Sequence, residues 1–262
     1  MKTRFSMILA ALLMVTVSQA QAQSLFKRMV NSISVRVTAS KNIITKDIRL
    51  TDFSKLTASG SINMVYHQEA AGNPRVIITC PDNVLDYIVV EQKGSKLSIK
   101  LKDRVNISWN GRHDDKDFVI HVYSKGIDEF QGSGSGDYTL AGILQATDFK
   151  ASLSGSGDVK IENLKASGDV SFNLTGSGDF KVNAVACQTL KARVTGSGDM
   201  DVKGIGSKEV DASVTGSGDI VLKGRTEHGK YNVTGSGDIH AKELVAAGIE
   251  TKKMGSGDIY TE

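Results

Sequence analysis

The chain has 262 residues, with 32 basic against 29 acidic side chains and a formal charge of +3. That near balance excludes a polycation built for nucleic acid or an anionic membrane surface. With 27 Gly, 2 Pro and 2 Cys, the chain suits many tight corners and permits one disulfide at most.

Residues 1–22 read as a secretory signal peptide. Lys2 and Arg4 precede an apolar run from Met7 to Val17, and Ala20-Gln21-Ala22 offers a small-x-small cleavage site. The run is too short to span a bilayer, and no long apolar stretch follows it. Cys80 and Cys187 both lie far from the cleavage site, so a lipoprotein anchor is not expected. The expectation is an exported protein, periplasmic or extracellular, with no integral membrane segment. Cys80 ends an apolar strand and Cys187 falls where other repeats carry small or polar residues. That points to buried free thiols, with a Cys80–Cys187 bridge as the alternative.

Residues 23–50 form a leader or first strand, with Ile33, Val35 and Val37 at spacing two. A β-rich module is expected over 51–130. It opens with half a coil from Phe53 to Tyr66, in which Ser59-Gly60-Ser61 make the corner and Ile62, Met64 and Tyr66 alternate after it. Arg75 to Thr79 read as a strand, and Asp82 to Tyr87 as a turn with a short helical piece. Ile88 to Glu91 and Lys96 to Leu101 flank a Lys93-Gly94-Ser95 turn as a hairpin. Asn110 to Asp117 is a charged loop, and Phe118 to Tyr123 one more alternating strand.

From 131 to 262 the tetrapeptide Gly-Ser-Gly-Asp returns seven times, ending at Asp137, Asp158, Asp179, Asp199, Asp219, Asp238 and Asp258. The intervals are 21, 21, 20, 20, 19 and 20 residues, the period of a solenoid. Around each Asp the apolar residues recur in register: Val159, Phe180 and Met200 one place after it, Leu153, Leu174 and Val194 five before, and Phe149, Val170 and Leu190 nine before. Spacings of two on both sides of a Gly-rich corner mean strands with one buried face. The fold class is therefore all-β, a parallel β-helix or solenoid with ~20-residue coils. A second corner falls half a period earlier, at Thr147-Asp148, Gly168-Asp169, Gln188-Thr189 and Lys208-Glu209. In the last coil Lys253 takes a core position beside Lys252, where charge discourages edge-to-edge stacking.

The repeated Gly-Ser-Gly-Asp with its alternating strand, the half coil from Ser59 to Val65 and the signal peptide together resemble the head GIN domain proteins, mostly secreted proteins of Bacteroidetes described as auto-transporter adhesins and otherwise known as a domain of unknown function. The resemblance covers roughly residues 50–260. The Gly-Ile-Asn of the family's name is Ser61-Ile62-Asn63 here, so its Gly is replaced. The resemblance implies an exported β-solenoid with an adhesive role and no catalysis. It also implies membrane insertion, for which Ile259-Tyr260-Thr261-Glu262 supply no segment.

Stacked corners would place the aspartates ~5 Å apart, where neighbouring charges repel by ~0.9 kcal/mol in water and ~3.5 kcal/mol at an effective dielectric of 20. Something must offset that. One reading makes all seven aspartates structural corner residues that accept backbone N–H groups of tight Gly turns. The other places Ca²⁺ along Asp158, Asp179, Asp199, Asp219 and Asp238, helped by Ser156, Ser177 and Ser197. Calcium needs six to eight oxygens, and each corner offers a single carboxylate, so no cofactor is expected. The histidines His67, His113, His121, His228 and His240 show no metal-ligand spacing, and no Ser/His/Asp set, phosphate loop or CxxC pair occurs. A polysaccharide-active enzyme needs carboxylates converging in a groove, and these acids lie along a column. Trp109 offers one sugar-stacking platform. The expected function is a non-enzymatic adhesion or interaction module of the cell envelope, meeting a protein or glycan surface and no nucleic acid. A periplasmic structural or envelope-stress protein without external ligand is the alternative.

Overall fold

The computed structural model describes residues 34–109 and 115–261. The expected signal peptide, with Met7–Val17, lies outside them, as does His113. No α-helix occurs among the described residues. The strands are β1 (Val35–Thr38), β2 (Ile43–Arg49), β3 (Lys55–Gly60), β4 (Met64–Gln68), β5 (Arg75–Pro81), β6 (Ile88–Lys93), β7 (Lys96–Leu101), β8 (Val105–Ser108) and β9 (Val119–Ser124). The repeat region follows as β10 (Glu129–Gly134), β11 (Tyr138–Ala146), β12 (Phe149–Gly155), β13 (Val159–Ala166), β14 (Val170–Gly176), β15 (Phe180–Ala186), β16 (Thr189–Gly196), β17 (Met200–Gly206) and β18 (Glu209–Gly216). Three strands end it: β19 (Ile220–Gly235), β20 (Ile239–Gly255) and β21 (Ile259–Tyr260).

Two parallel stacks result. One runs β7–β3–β10–β12–β14–β16–β18 and on through the second halves of β19 and β20. The other runs β9–β4–β11–β13–β15–β17 and on through the first halves of β19 and β20 to β21. Like residues stack as the repeat requires: Phe149, Val170, Leu190 and Val210 form one ladder, and Tyr138, Val159, Phe180, Met200, Ile220 and Ile239 another. All of these side chains are buried. Because a single coil cannot cover its own apolar face, the ladders between the stacks are the core.

The corners explain the glycines. Ser156 N and Gly157 N both donate to Gly134 O, at 2.9 and 3.1 Å, and the same pair of bonds joins each later corner to the one before. Gly155 has φ +132°, open in practice only to glycine, and a Cβ on Gly157 would stand 2.1 Å from Gly136 O. The Phe53–Tyr66 segment is a full member of the stack, since Gly60 pairs with Gly134 and Met64 with Tyr138. In that first corner Ile62 occupies the place of the second Gly and is fully buried. The strand in front, β7, pairs only as far as Ser59↔Lys100, so no preceding corner carbonyl faces Ile62. This is why Ile62 is tolerated where every later corner carries its second Gly.

Two aromatic residues are fitted to glycines. A Cβ at Gly132 would lie 2.7 Å from the Tyr138 ring, and one at Gly229 2.2 Å from Tyr231 Oη. Gly229 interrupts the ladder between Val210 and Ile249, and Tyr231, beside Ala212, fills the space that this leaves. Residues 75–124 close the front of the solenoid. The expected hairpin is present as β6 antiparallel to β7, and β5 and β2 add antiparallel strands beyond β9. Leu85–Tyr87 forms a 3₁₀ turn, and β1 pairs with β8 in a separate two-stranded sheet. Cys80 and Cys187 are free thiols, so the disulfide alternative does not form.

Candidate functional site

The corner aspartates stack into one column. The backbone N–H of Asp158 donates to Asp137 Oδ1 at 3.3 Å, Asp179 to Asp158 at 2.9 Å and Asp219 to Asp199 at 2.9 Å. Asp238 N reaches Asp219 Oδ1, and Asp258 N reaches Asp238 Oδ1, both at 2.7 Å. Asn63 heads the column, its Oδ1 accepting from Asp137 N at 3.1 Å. Such bonds between a charged acceptor and a backbone donor offset part of the repulsion along the column. Lys181 Nζ at 2.9 Å from Asp179 Oδ2 and Lys253 Nζ at 2.7 Å from Asp258 Oδ1 offset more. Among the described residues no group of three or more His, Cys, Asp or Glu converges in a way that could hold a metal ion. The second corner repeats the device once, where Asp169 N donates to Asp148 Oδ1 at 2.8 Å.

The sheet of β3, β10, β12, β14, β16, β18 and the second half of β19 presents a flat outer face. Its pairings run without a register shift, whereas the opposite stack has shifts at Leu140/Ile143, Val202/Ile205 and Val221/Lys223. Three outward columns cross the flat face. Lys150, Ser171, Lys191, Asp211 and Lys230 form the first, Ser152, Asn173, Arg193, Ser213 and Asn232 the second, and Ser154, Thr175, Thr195, Thr215 and Thr234 the third. Hydroxyl, amide and ammonium groups dominate it, and none of these fifteen residues is aromatic.

The five histidines are not all scattered. Parallel pairing of β4 with β9 sets Val65 beside His121 and His67 beside Tyr123. His67 Nε2 lies 3.0 Å from His121 Nδ1, His67 stacks on Tyr123 at 4.7 Å, and the Arg75 guanidinium lies 4.0 Å above the Tyr123 ring. Glu69 ties down Arg75 at 3.0 Å. Burial holds both imidazoles below their ordinary pKa, and the His121 charge adds to the effect on His67. Nothing in the spacing of two histidines 54 residues apart announces this contact. At the other end of the same stack, His240 stacks on Tyr260 at 4.8 Å. Trp109 packs against the core and tilts over Phe118 at 6.3 Å, which takes up the platform expected of it. Burial raises the Cys80 and Cys187 thiols to about 11 and about 12, so neither is a ready nucleophile.

Two stretches, residues 52–186 and 170–262, match a family model described as "Putative auto-transporter adhesin, head GIN domain". Solved structures with the same fold include a "putative adhesin" from Bacteroides fragilis, with TM-score 0.73 and 22% identity over 86% of this chain and 100% of that one. A "Putative lipid binding protein" from Parabacteroides distasonis gives TM-score 0.72 and 22% identity over 87% and 100% of the two chains. A "putative adhesin" from Parabacteroides merdae gives 0.65 and 21% over 86% and 99%. No curated protein matches the chain. At these identities the likeness shows the fold alone.

Proposed function

The chain belongs to the family described as "Putative auto-transporter adhesin, head GIN domain", and from that membership we propose that it is a non-enzymatic adhesion or interaction module of the cell envelope, exported by residues 1–22. The observation that carries this reading is the flat, register-perfect outer face, mostly of Ser, Thr, Asn and Lys side chains, on β12, β14, β16, β18 and the second half of β19. Such a face offers many equivalent weak contacts along its length, which suits adhesion, and it gathers no set of acid and base for turnover. On this reading the seven aspartates are structural: Asp137, Asp158, Asp199, Asp219 and Asp238 each serve the corner behind them, while Asp179 and Asp258 take a lysine. The space between the two stacks is filled by side chains such as Tyr138, Phe172 and Phe180. A lipid held inside the solenoid is therefore disfavoured, and contact is made on the outside.

The test is retention of purified, fluorescently labelled protein on intact cells and on an array of glycans, with product analysis in parallel. Saturable retention without product supports the reading. Turnover of any polysaccharide, lost on Asp→Asn substitution along the column, would replace it with an enzyme.

A further inference from the structure

We propose that the flat face takes a linear acidic polysaccharide whose negative charges recur on every second sugar. This rests on the adhesive reading above and names the class of its partner. In the first outward column the lysines alternate: Lys150, Lys191 and Lys230 are separated by Ser171 and Asp211. With coils ~4.8 Å apart, successive lysines stand about 10 Å apart along the solenoid axis.

Among the described residues none of these three lysines has a carboxylate within 4.0 Å. On the opposite stack Lys181 pairs with Asp179 and Lys203 with Asp201, while Lys160 has no carboxylate within 4.0 Å among the described residues. Unpaired cations held at a fixed interval on a rigid sheet cost little ordering entropy when an anionic chain is laid along them. The neighbouring column supplies Ser and Asn groups that can hydrogen-bond sugar hydroxyls.

The charges between the lysines set the selectivity. Asp211 lies in the intermediate coil, 3.8 Å from Arg193; Glu129 and Glu250 stand next to Lys150 and Lys230 at the two ends of the column, and Asp128, Asp148 and Asp169 edge the shallow groove beside Lys150 and Lys191. A polymer charged on every sugar would press anions against Asp211, whereas an alternating one places its neutral sugars there. Nucleic acid fits poorly. Its strand charges recur every ~3.4 Å, and this face offers no aromatic ring for base stacking.

The test compares the full protein with a Lys150→Ser/Lys191→Ser/Lys230→Ser variant, Ser being the residue already present in this column at position 171. Both are titrated with hyaluronan (uronate on alternate sugars), polygalacturonate (uronate on every sugar), dextran and single-stranded DNA. The expected result is that hyaluronan binds best. Its affinity should fall about tenfold or more in the variant, and fall again as salt rises from about 50 to about 300 mM. Absence of hyaluronan binding, equal binding by the variant, or tighter binding of polygalacturonate, dextran or DNA overturns the proposal. Cell retention measured on the same samples separates the two readings. Protein that holds cells but ignores hyaluronan overturns only this inference, and protein that does neither overturns both.

Discussion

Asn63 is a natural substitution within the aspartate column. It has no charge, yet its Oδ1 accepts the Asp137 N–H as the carboxylates accept theirs. If acceptance of that N–H is what the side chain contributes, Asp219→Asn should leave stability within about 0.5 kcal/mol, because an amide oxygen serves and one unit of column repulsion goes. Asp219→Ala should cost about 1 kcal/mol, since the Asp238 N–H loses its partner. Urea unfolding of both variants decides it, and equal losses for Asn and Ala would sink the corner role. The glycines obey a stricter rule. Gly157→Ala places a methyl 2.1 Å from a backbone oxygen that is itself locked in the preceding corner. A loss of roughly 3 kcal/mol or more is expected in the same assay.

Strand pairing produces consequences that spacing alone conceals. The Gly229–Tyr231 pair replaces an aliphatic ladder member, and Tyr231 Oη is buried with no hydrogen-bond partner among the described residues. Tyr231→Phe should therefore be neutral or stabilising, while Tyr231→Ala should cost about 3–5 kcal/mol by opening a cavity. Thermal melts of the two variants check this. The His67–His121 pair is likewise a product of β4 lying against β9. Burial lowers both imidazole pKa values from 6.5. As pH falls through 6.5 the unfolded chain therefore takes up protons before the folded one does, and the stability present at neutral pH is lost on acidification. The melting temperature should drop between pH 7.5 and 5. The drop should be smaller in His67→Gln/His121→Gln, and an unchanged drop would assign it to other groups.

The two ends of the solenoid differ. At the front, β6 and β5 run antiparallel to the stack strands they meet, β2 runs antiparallel to β5, and together they cover the first coil. At the back, β21 pairs only with Ile239 and His240, and Val245, Ile249 and Met254 are exposed along β20. In a stack whose stability is a sum of neighbour contacts, the coil with one neighbour opens first. Amides of residues 245–255 should exchange with solvent fastest among the strands and those of β12 to β17 slowest. Uniform exchange along the stack would show that the solenoid opens as one unit. Lys253 fits this arrangement: it takes the core position of Val233 but reaches out to Asp258 at 2.7 Å, leaving a charge where a further strand would stack.

A period near 20 residues and alternation on both sides of each corner were enough to specify the coils, their inward ladders and the stacked column of aspartates. Those features are local and repeated, so every coil reports them again. The insertion of residues 75–124 was legible as strands and a hairpin but not as the cover of the first coil, because pairings such as His67↔Tyr123 join distant segments without a repeat to mark them. The same holds for the histidine contact and for the place of Ile62. Each depends on which strand lies in front of it, and that was settled when the chain closed on itself, burying apolar ladders from both halves against one another.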